Sequence, residues 1–203
     1  MDKILHKILN EDFSNKIYVI GVDGGTGAGK TTFVKSLKLN LNQKGYKCSI
    51  LHIDDFITPR NVRYNDSNEE WYCFYNLQWR YDYLLEEILK PIKLNNEFEN
   101  TIEIYNKEND NYNKKFLSLK QGEILIIEGV FLQRPIIKEY FDFMIFIDVP
   151  QEIRLKRVLK RDVYIGNENA IKSKYKRRYF PAEKIYFSEC SPKENADFII
   201  CEF

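Results

Sequence analysis

The sequence predicts an α/β protein organised around an open parallel sheet, and three observations carry that prediction. Residues 17–22, 124–127 and 143–149 are short apolar runs, rich in β-branched side chains and nearly continuous rather than alternating. That is the pattern of strands covered on both faces. Helical patterns fall between the runs, at residues 31–43, 81–90 and 151–161. Strand and helix therefore alternate along the chain, as in the βαβ units that wind a parallel sheet. At 203 residues the chain reads as one domain, 1–203. Folding at that length buries roughly 70–75% of the unfolded surface.

Each element follows from local chemistry. Residues 1–9 (MDKILHKIL) are a short amphipathic stretch, broken by Asn10-Glu11-Asp12. They predict a surface helix packed on the domain, with His6 exposed. The stretch lacks the apolar core and cleavage site of a signal peptide, and no apolar run reaches the ~18 residues of a membrane helix. Residues 17–22 form the first strand. Gly24-Gly25-Thr26-Gly27-Ala28-Gly29-Lys30-Thr31 then matches G-x-x-x-x-G-K-[ST] in full. Glycines let successive backbone N–H groups curl inward at phosphate oxygens, and the helix beginning near Lys30 aims its positive end at the same anion. Lys30 supplies a mobile charge for the β- and γ-phosphates, and the Thr31 hydroxyl suits Mg²⁺. A strand runs in and the Phe33-Val34-Leu37-Leu41 face runs out. This context predicts a nucleoside-triphosphate site along Gly24 to Thr32.

A further strand is expected at residues 48–53, with Asp54 and Asp55 directly after it. Strand ends of an open α/β sheet converge on a ligand crevice, so one of these carboxylates can take a proton from an attacking hydroxyl and reach Mg²⁺ through water. A helix N-cap is the other reading. The aromatic cluster Trp71-Tyr72-Cys73-Phe74-Tyr75, with Trp79 and Tyr81, reads equally as pocket wall or as core. The helix at 81–90 is expected to stop before Pro91. Residues 95–120, polar and rich in Asn and Lys, read as an acceptor-side β-hairpin excursion, with strands at 101–105 and 115–119 and a turn at Asn109-Asp110-Asn111.

Ile124-Leu125-Ile126-Ile127-Glu128-Gly129 is an apolar strand whose terminal carboxylate would face the crevice and hold a metal-bound water. Gly129 permits close backbone approach beside it. Arg154, Arg157 and Arg161 share one face of the helix after strand 143–149. Three guanidiniums on one face repel unless an anion sits among them, which predicts a phosphate-facing lid at residues 154–178. Lys172, Lys174, Lys176, Arg177 and Arg178 read as a solvated helical face. Residues 198–201 close the chain's set of strands.

Composition excludes several classes. With 31 Lys+Arg against 30 Asp+Glu, the near-neutral charge argues against a dedicated nucleic-acid binder. Cys48, Cys73, Cys190 and Cys201 form no C-x-x-C pair or Cys/His grouping, which points to reduced, buried thiols in a cytoplasmic protein. The guanine-reading N-K-x-D is missed by one residue in Asn106-Lys107-Glu108-Asn109-Asp110, and no serine-glycine-glycine signature of ABC-type ATPases is present. Small-molecule kinases remain.

The ordered set of motifs is more specific than the glycine loop. It runs through residues 21–32, His52-Ile53-Asp54-Asp55-Phe56, residues 127–135, residues 146–150 and the helix at 154–162. Tyr175, Tyr179-Phe180-Pro181-Ala182 and residues 196–200 complete it. This set resembles the uridine kinase-like (phosphoribulokinase/uridine kinase) family of P-loop kinases. The resemblance implies a P-loop NTPase fold with a five-stranded parallel sheet, and ATP–Mg²⁺ phosphorylating a hydroxyl of a small acceptor. On it, Asp54 looks like the general base and a metal contact, and Asp55 occupies a variable slot. Glu128 looks like the metal-side acid beside Thr31. Arg157 and Arg161 look like lid arginines acting with Lys30, and Phe56 and Tyr105 join Asp54 at the acceptor. The chain departs from nucleoside-specific members in two places. Tyr105-Asn106-Lys107 leads into a stretch without His, and Gly166-Asn167-Glu168-Asn169-Ala170 lacks the Arg and Gln of their lid motif.

The expectation is a cytoplasmic ATP-dependent kinase acting on a small metabolite, a nucleoside or related acceptor, with ATP and Mg²⁺. No nucleic-acid or membrane partner is expected, and a homo-oligomer is left open. The alternative is a nucleotide-binding regulatory or ATPase module acting on a protein partner.

Overall fold

In the computed structural model, which describes residues 1–201, the apolar runs become the strands of one parallel sheet. In chain order these are β1 (Tyr18–Gly24) and β2 (Cys48–His52), then the hairpin β3 (Phe98–Asn106) and β4 (Asn111–Leu119). β5 (Ile124–Glu128), β6 (Phe143–Ile147) and β7 (Phe198–Ile200) follow. The five-stranded sheet has the order β2-β5-β1-β6-β7, every neighbour parallel, with Tyr18 opposite Ile124 and Ile20 opposite Phe143.

Every residue of β1, β5 and β6 is buried, because helices cover both faces. Side chains alternate across the sheet, so Tyr18, Ile20 and Val22 join one core layer, and Ile17 and Val19 the other. The first layer is closed by α1 (Asp2–Leu9) and α2 (Lys30–Gln43) through Leu5, Ile8, Val34 and Leu37. Here the amphipathic start packs as its pattern requires, and His6 is exposed. The second layer is closed by α3 (residues 70–77), α4 (residues 81–95) and α6 (residues 168–190), with Phe74, Leu84, Ile88 and Tyr186. Between β6 and α6 lies α5 (Gln151–Arg161), whose Val158 packs on Ile171 and Tyr175. Fully burying each such aliphatic side chain is worth about 1.5–3 kcal/mol.

Three expectations change. The helix expected to stop before Pro91 continues to Asn95. A π-turn at Leu85–Leu89 resets the hydrogen-bond ladder, so Pro91 falls at the start of a new helical segment, where its missing N–H costs nothing. The hairpin strands are longer than expected and turn through a positive-φ Asp110. The basic run is only partly a solvated face. Tyr175 and Arg178 are buried, and Arg178 donates to Gln78 Oε1 at 2.8 Å and to the Glu70 carbonyl. A second π-turn at Tyr175–Tyr179 rotates these two side chains inward. Cys48, Cys73 and Cys190 are buried and Cys201 is exposed, all as free thiols. No helix among the described residues is long and apolar enough to cross a membrane.

Candidate active site

The C-terminal ends of β1, β2 and β5 meet at one cleft of ≈ 440 Å³, to which the hairpin, α3 and the start of α6 contribute walls. The loop after β1 is shaped by positive φ at Gly24, Gly27 and Gly29. At Gly27 a Cβ would sit 2.6 Å from Val158 Cγ1 on α5, so only glycine lets the loop approach that helix. Lys30, on the first turn of α2, is buried and donates from Nζ to the Gly24 and Gly25 carbonyls at 2.8 and 3.1 Å. Burial pulls its pKa down, while Glu128, Asp23, Glu183 and Asp54 oppose the fall.

The next residue, Thr31, donates from Oγ1 to Glu128 Oε1 at 2.8 Å, and His52 Nδ1 lies 2.6 Å from the same oxygen. Burial pushes the Glu128 carboxyl up, but the His52 bond, the Lys30 charge and the Thr31 bond outweigh it, leaving the pKa below the ordinary value. Glu128 is therefore ionised. His52 is raised in turn, chiefly by its bond to Glu128. Gly129 does allow the close approach expected beside Glu128, since a Cβ there would lie 2.1 Å from Ile53 Cγ2.

The short 3-10 turn Ile53–Phe56 divides the two aspartates. Asp55 Oδ2 accepts from the His52 N–H at 2.9 Å, a capping role. Asp54 opens on the cleft, with Trp79 Nε1 3.4 Å from its Oδ1. Its side chain is exposed to cleft solvent, yet the surrounding protein at the cleft floor and the charge of Glu128 push its pKa up. Three residues per turn bury Phe56 completely. Phe56 is thus a core residue and not a cleft residue, a correction to its expected place at the acceptor. Tyr105 does line the cleft, its hydroxyl accepting from Arg63 Nη2 and donating to Asp110 Oδ1, both at 2.7 Å. The aromatic cluster serves both readings: Phe74 and Trp79 pack on Phe131 in the core and also line the cleft.

The arginine face of α5 is neutralised by protein. Arg154 is buried in an ion pair with Glu183 at 2.8 Å, and Arg161 pairs with Asp162 at 2.6 Å. Arg157 donates to the Ala28 carbonyl at 3.0 Å. The repulsion expected to require an external anion is thus relieved at Arg154 and Arg161 by carboxylates. Arg161 lines the cleft, while Arg154 braces the loop: its Nη1 donates to the Thr26 carbonyl at 3.0 Å, and Glu183 Oε1 accepts from the Thr26 N–H at 2.7 Å.

Sequence reasoning assigned no role to His52 or Glu183. His52 was readable, since it lies two residues before Asp54, at the end of a strand that points to the crevice. Glu183 was not, because it meets the loop across 157 residues of chain. Glu183→Ala should raise the KM for ATP by about tenfold, with a smaller loss in kcat, and Glu183→Gln should recover part of it by keeping an acceptor oxygen for Thr26. Steady-state kinetics with ATP as the varied substrate checks this.

The residues fit a triphosphate and a hard cation. The loop curls around Lys30, Thr26 Oγ1 is buried without a hydrogen-bond partner, and Thr31 and Glu128 present oxygen donors of the kind Mg²⁺ prefers. The Phosphoribulokinase / Uridine kinase family matches residues 19–201. The uridine kinase of Macrococcus caseolyticus is 25% identical over 151 residues, covering 73% of this chain and 70% of the relative. That of Alkaliphilus metalliredigens is 28% identical over the same shares. The structure of a possible uridine kinase from Bacillus stearothermophilus superposes with a TM-score of 0.81 at 30% identity, over 98% of this chain and 96% of that one. Phosphoribulokinase from Rhodobacter spheroides shares the fold, with a TM-score of 0.66 at 15% identity over 93% of this chain and 71% of that one. The chain is an ATP-dependent phosphotransferase that acts on a hydroxyl group, and it belongs to the phosphoribulokinase/uridine kinase family.

Proposed function

We propose that the chain transfers the γ-phosphoryl group of ATP to an alcohol of a small metabolite, a nucleoside or related acceptor, with Asp54 as the base. One observation carries this reading: Lys30, Thr31, Glu128 and Asp54 line one cleft together with Tyr105 and Trp79. The loop amides and Lys30 bind the phosphates; phosphate oxygens take over the Lys30 bonds now made to Gly24 and Gly25. Thr31 and Glu128 would hold Mg²⁺, with Asp54 reaching it from the acceptor side. When bound, that cation neutralises charge on the phosphate oxygens. Asp54 accepts the proton of the attacking hydroxyl as its oxygen bonds to the γ-phosphorus and the bond to the β–γ bridging oxygen breaks, releasing ADP. Arg161, which lines the cleft, and Arg157, on α5 against the loop, would stabilise transferring charge.

The test is a coupled ADP-release assay over a panel of nucleosides, sugars, sugar alcohols and hydroxy acids. Acceptor-dependent ADP release supports the reading. Acceptor-independent hydrolysis across the panel favours an ATPase module instead.

A further inference from the structure

We propose that the acceptor is an anionic alcohol, carrying a carboxylate or phosphate group that Arg60 and Lys107 bind at the hairpin end of the cleft. The proposal rests on the kinase reading above and sharpens its substrate class. Six cationic side chains line the cleft against three carboxylates, Asp54, Glu128 and Asp162. Three of the cations are committed. Lys30 lies among Glu128, Asp23, Glu183 and Asp54, Arg161 pairs with Asp162, and Arg63 lies 3.6 Å from Asp110. Arg60, Lys107 and Lys174 remain. None of the three has a carboxylate within ion-pair distance among the described residues.

Arg60 and Lys107 are also held side by side. The Arg60 guanidinium donates to the Lys107 main-chain carbonyl, and the Arg60 N–H donates to both oxygens of Asp110 at 3.0 Å. The Tyr105 hydroxyl keeps Asp110 below the ordinary carboxylate pKa, with the Arg60 N–H assisting, so this anchor is ionised. The network spends Asp110 on Arg63 and on main-chain N–H, and leaves two neighbouring cations facing the cleft. Two like charges on adjoining backbone in one concave wall focus a positive potential that an anion relieves. Asp54 lines the same cleft. An acceptor that presents its hydroxyl to Asp54 and its anionic group to Arg60 and Lys107 satisfies both.

Kinetics on matched pairs tests this: glycerol against glycerate and pantothenol against pantothenate for the carboxylate arm, ribose against ribose 5-phosphate for the phosphate arm. The anionic member of a pair should have a kcat/KM higher by about tenfold to a hundredfold, an advantage that shrinks as salt rises. Lys107 is exposed on the turn, so Lys107→Glu should fold and erase the preference through the KM for the acceptor. Arg60→Gln should do the same independently. Transfer to neutral alcohols alone, uridine included, would overturn the anionic assignment and leave the kinase reading standing. Acceptor-independent ADP release would overturn both.

Discussion

Asp54→Asn should lower phosphoryl transfer by a factor of about 10²–10⁴, the usual contribution of a positioned general base, while ATP binding stays nearly intact. The carboxamide keeps an oxygen for the Trp79 indole, so the side chain has no reason to leave its place. What it loses is the basicity of the carboxylate that takes the acceptor proton. The substitution should also not lower Tm. Asp54 is raised by the surrounding protein at the cleft floor and by repulsion from Glu128, so a neutral isostere removes an unfavourable charge there, as expected where activity and stability compete. Single-turnover transfer, ATP titration and thermal denaturation read the three quantities separately. Transfer at the parental rate would remove Asp54 from the mechanism.

Lys30→Met should be the more damaging change, and its effect on stability should have the opposite sign. Transfer should fall by about 10²–10³ or more through loss of charge stabilisation at the phosphates, and ATP binding should weaken with it. The ammonium is also the buried counter-charge for Glu128, Asp23, Glu183 and Asp54. Asp23 is fully buried and raised by that burial; Tyr186, the Gly24 N–H and Lys30 hold the rise down. Removing one partner from such a set costs about 3–5 kcal/mol, which for a chain of this size lowers Tm by on the order of 6–20 °C. A Lys30→Met protein with the parental Tm would show that the acids are compensated elsewhere.

The sheet was legible because its strands are buried on both faces. Continuous β-branched runs such as those in β1 and β5, alternating with helical patterns, point to a parallel sheet, and the glycine loop marked its phosphate-binding end by its own stereochemistry. Asp54 and Glu128 were legible for the same reason, as acids at strand ends. The misreadings came from features that depend on tertiary contact. Phe56 was taken for an acceptor residue, and the 3-10 turn buries it. The π-turns carry no periodic signature, so the continuation through Pro91 and the burial of Arg178 could not be read. The Arg154 guanidinium of α5 finds its carboxylate on a distant element, and no local spacing announces Glu183.

Among the described residues the hairpin shares no strand pairing with the parallel sheet, yet it supplies Tyr105 and Lys107 to the cleft. It is anchored through Phe98, Ile102, Leu117 and Leu119, which are buried in the common core, while its turn is solvated. Part of the cleft wall thus sits on a ribbon separate from the sheet that carries the loop and Glu128. Substitutions in the turn therefore alter that wall while leaving the loop, Thr31 and Glu128 intact. Grafting the turn between relatives, with those four anchors retained, becomes a direct route to altered substrate range.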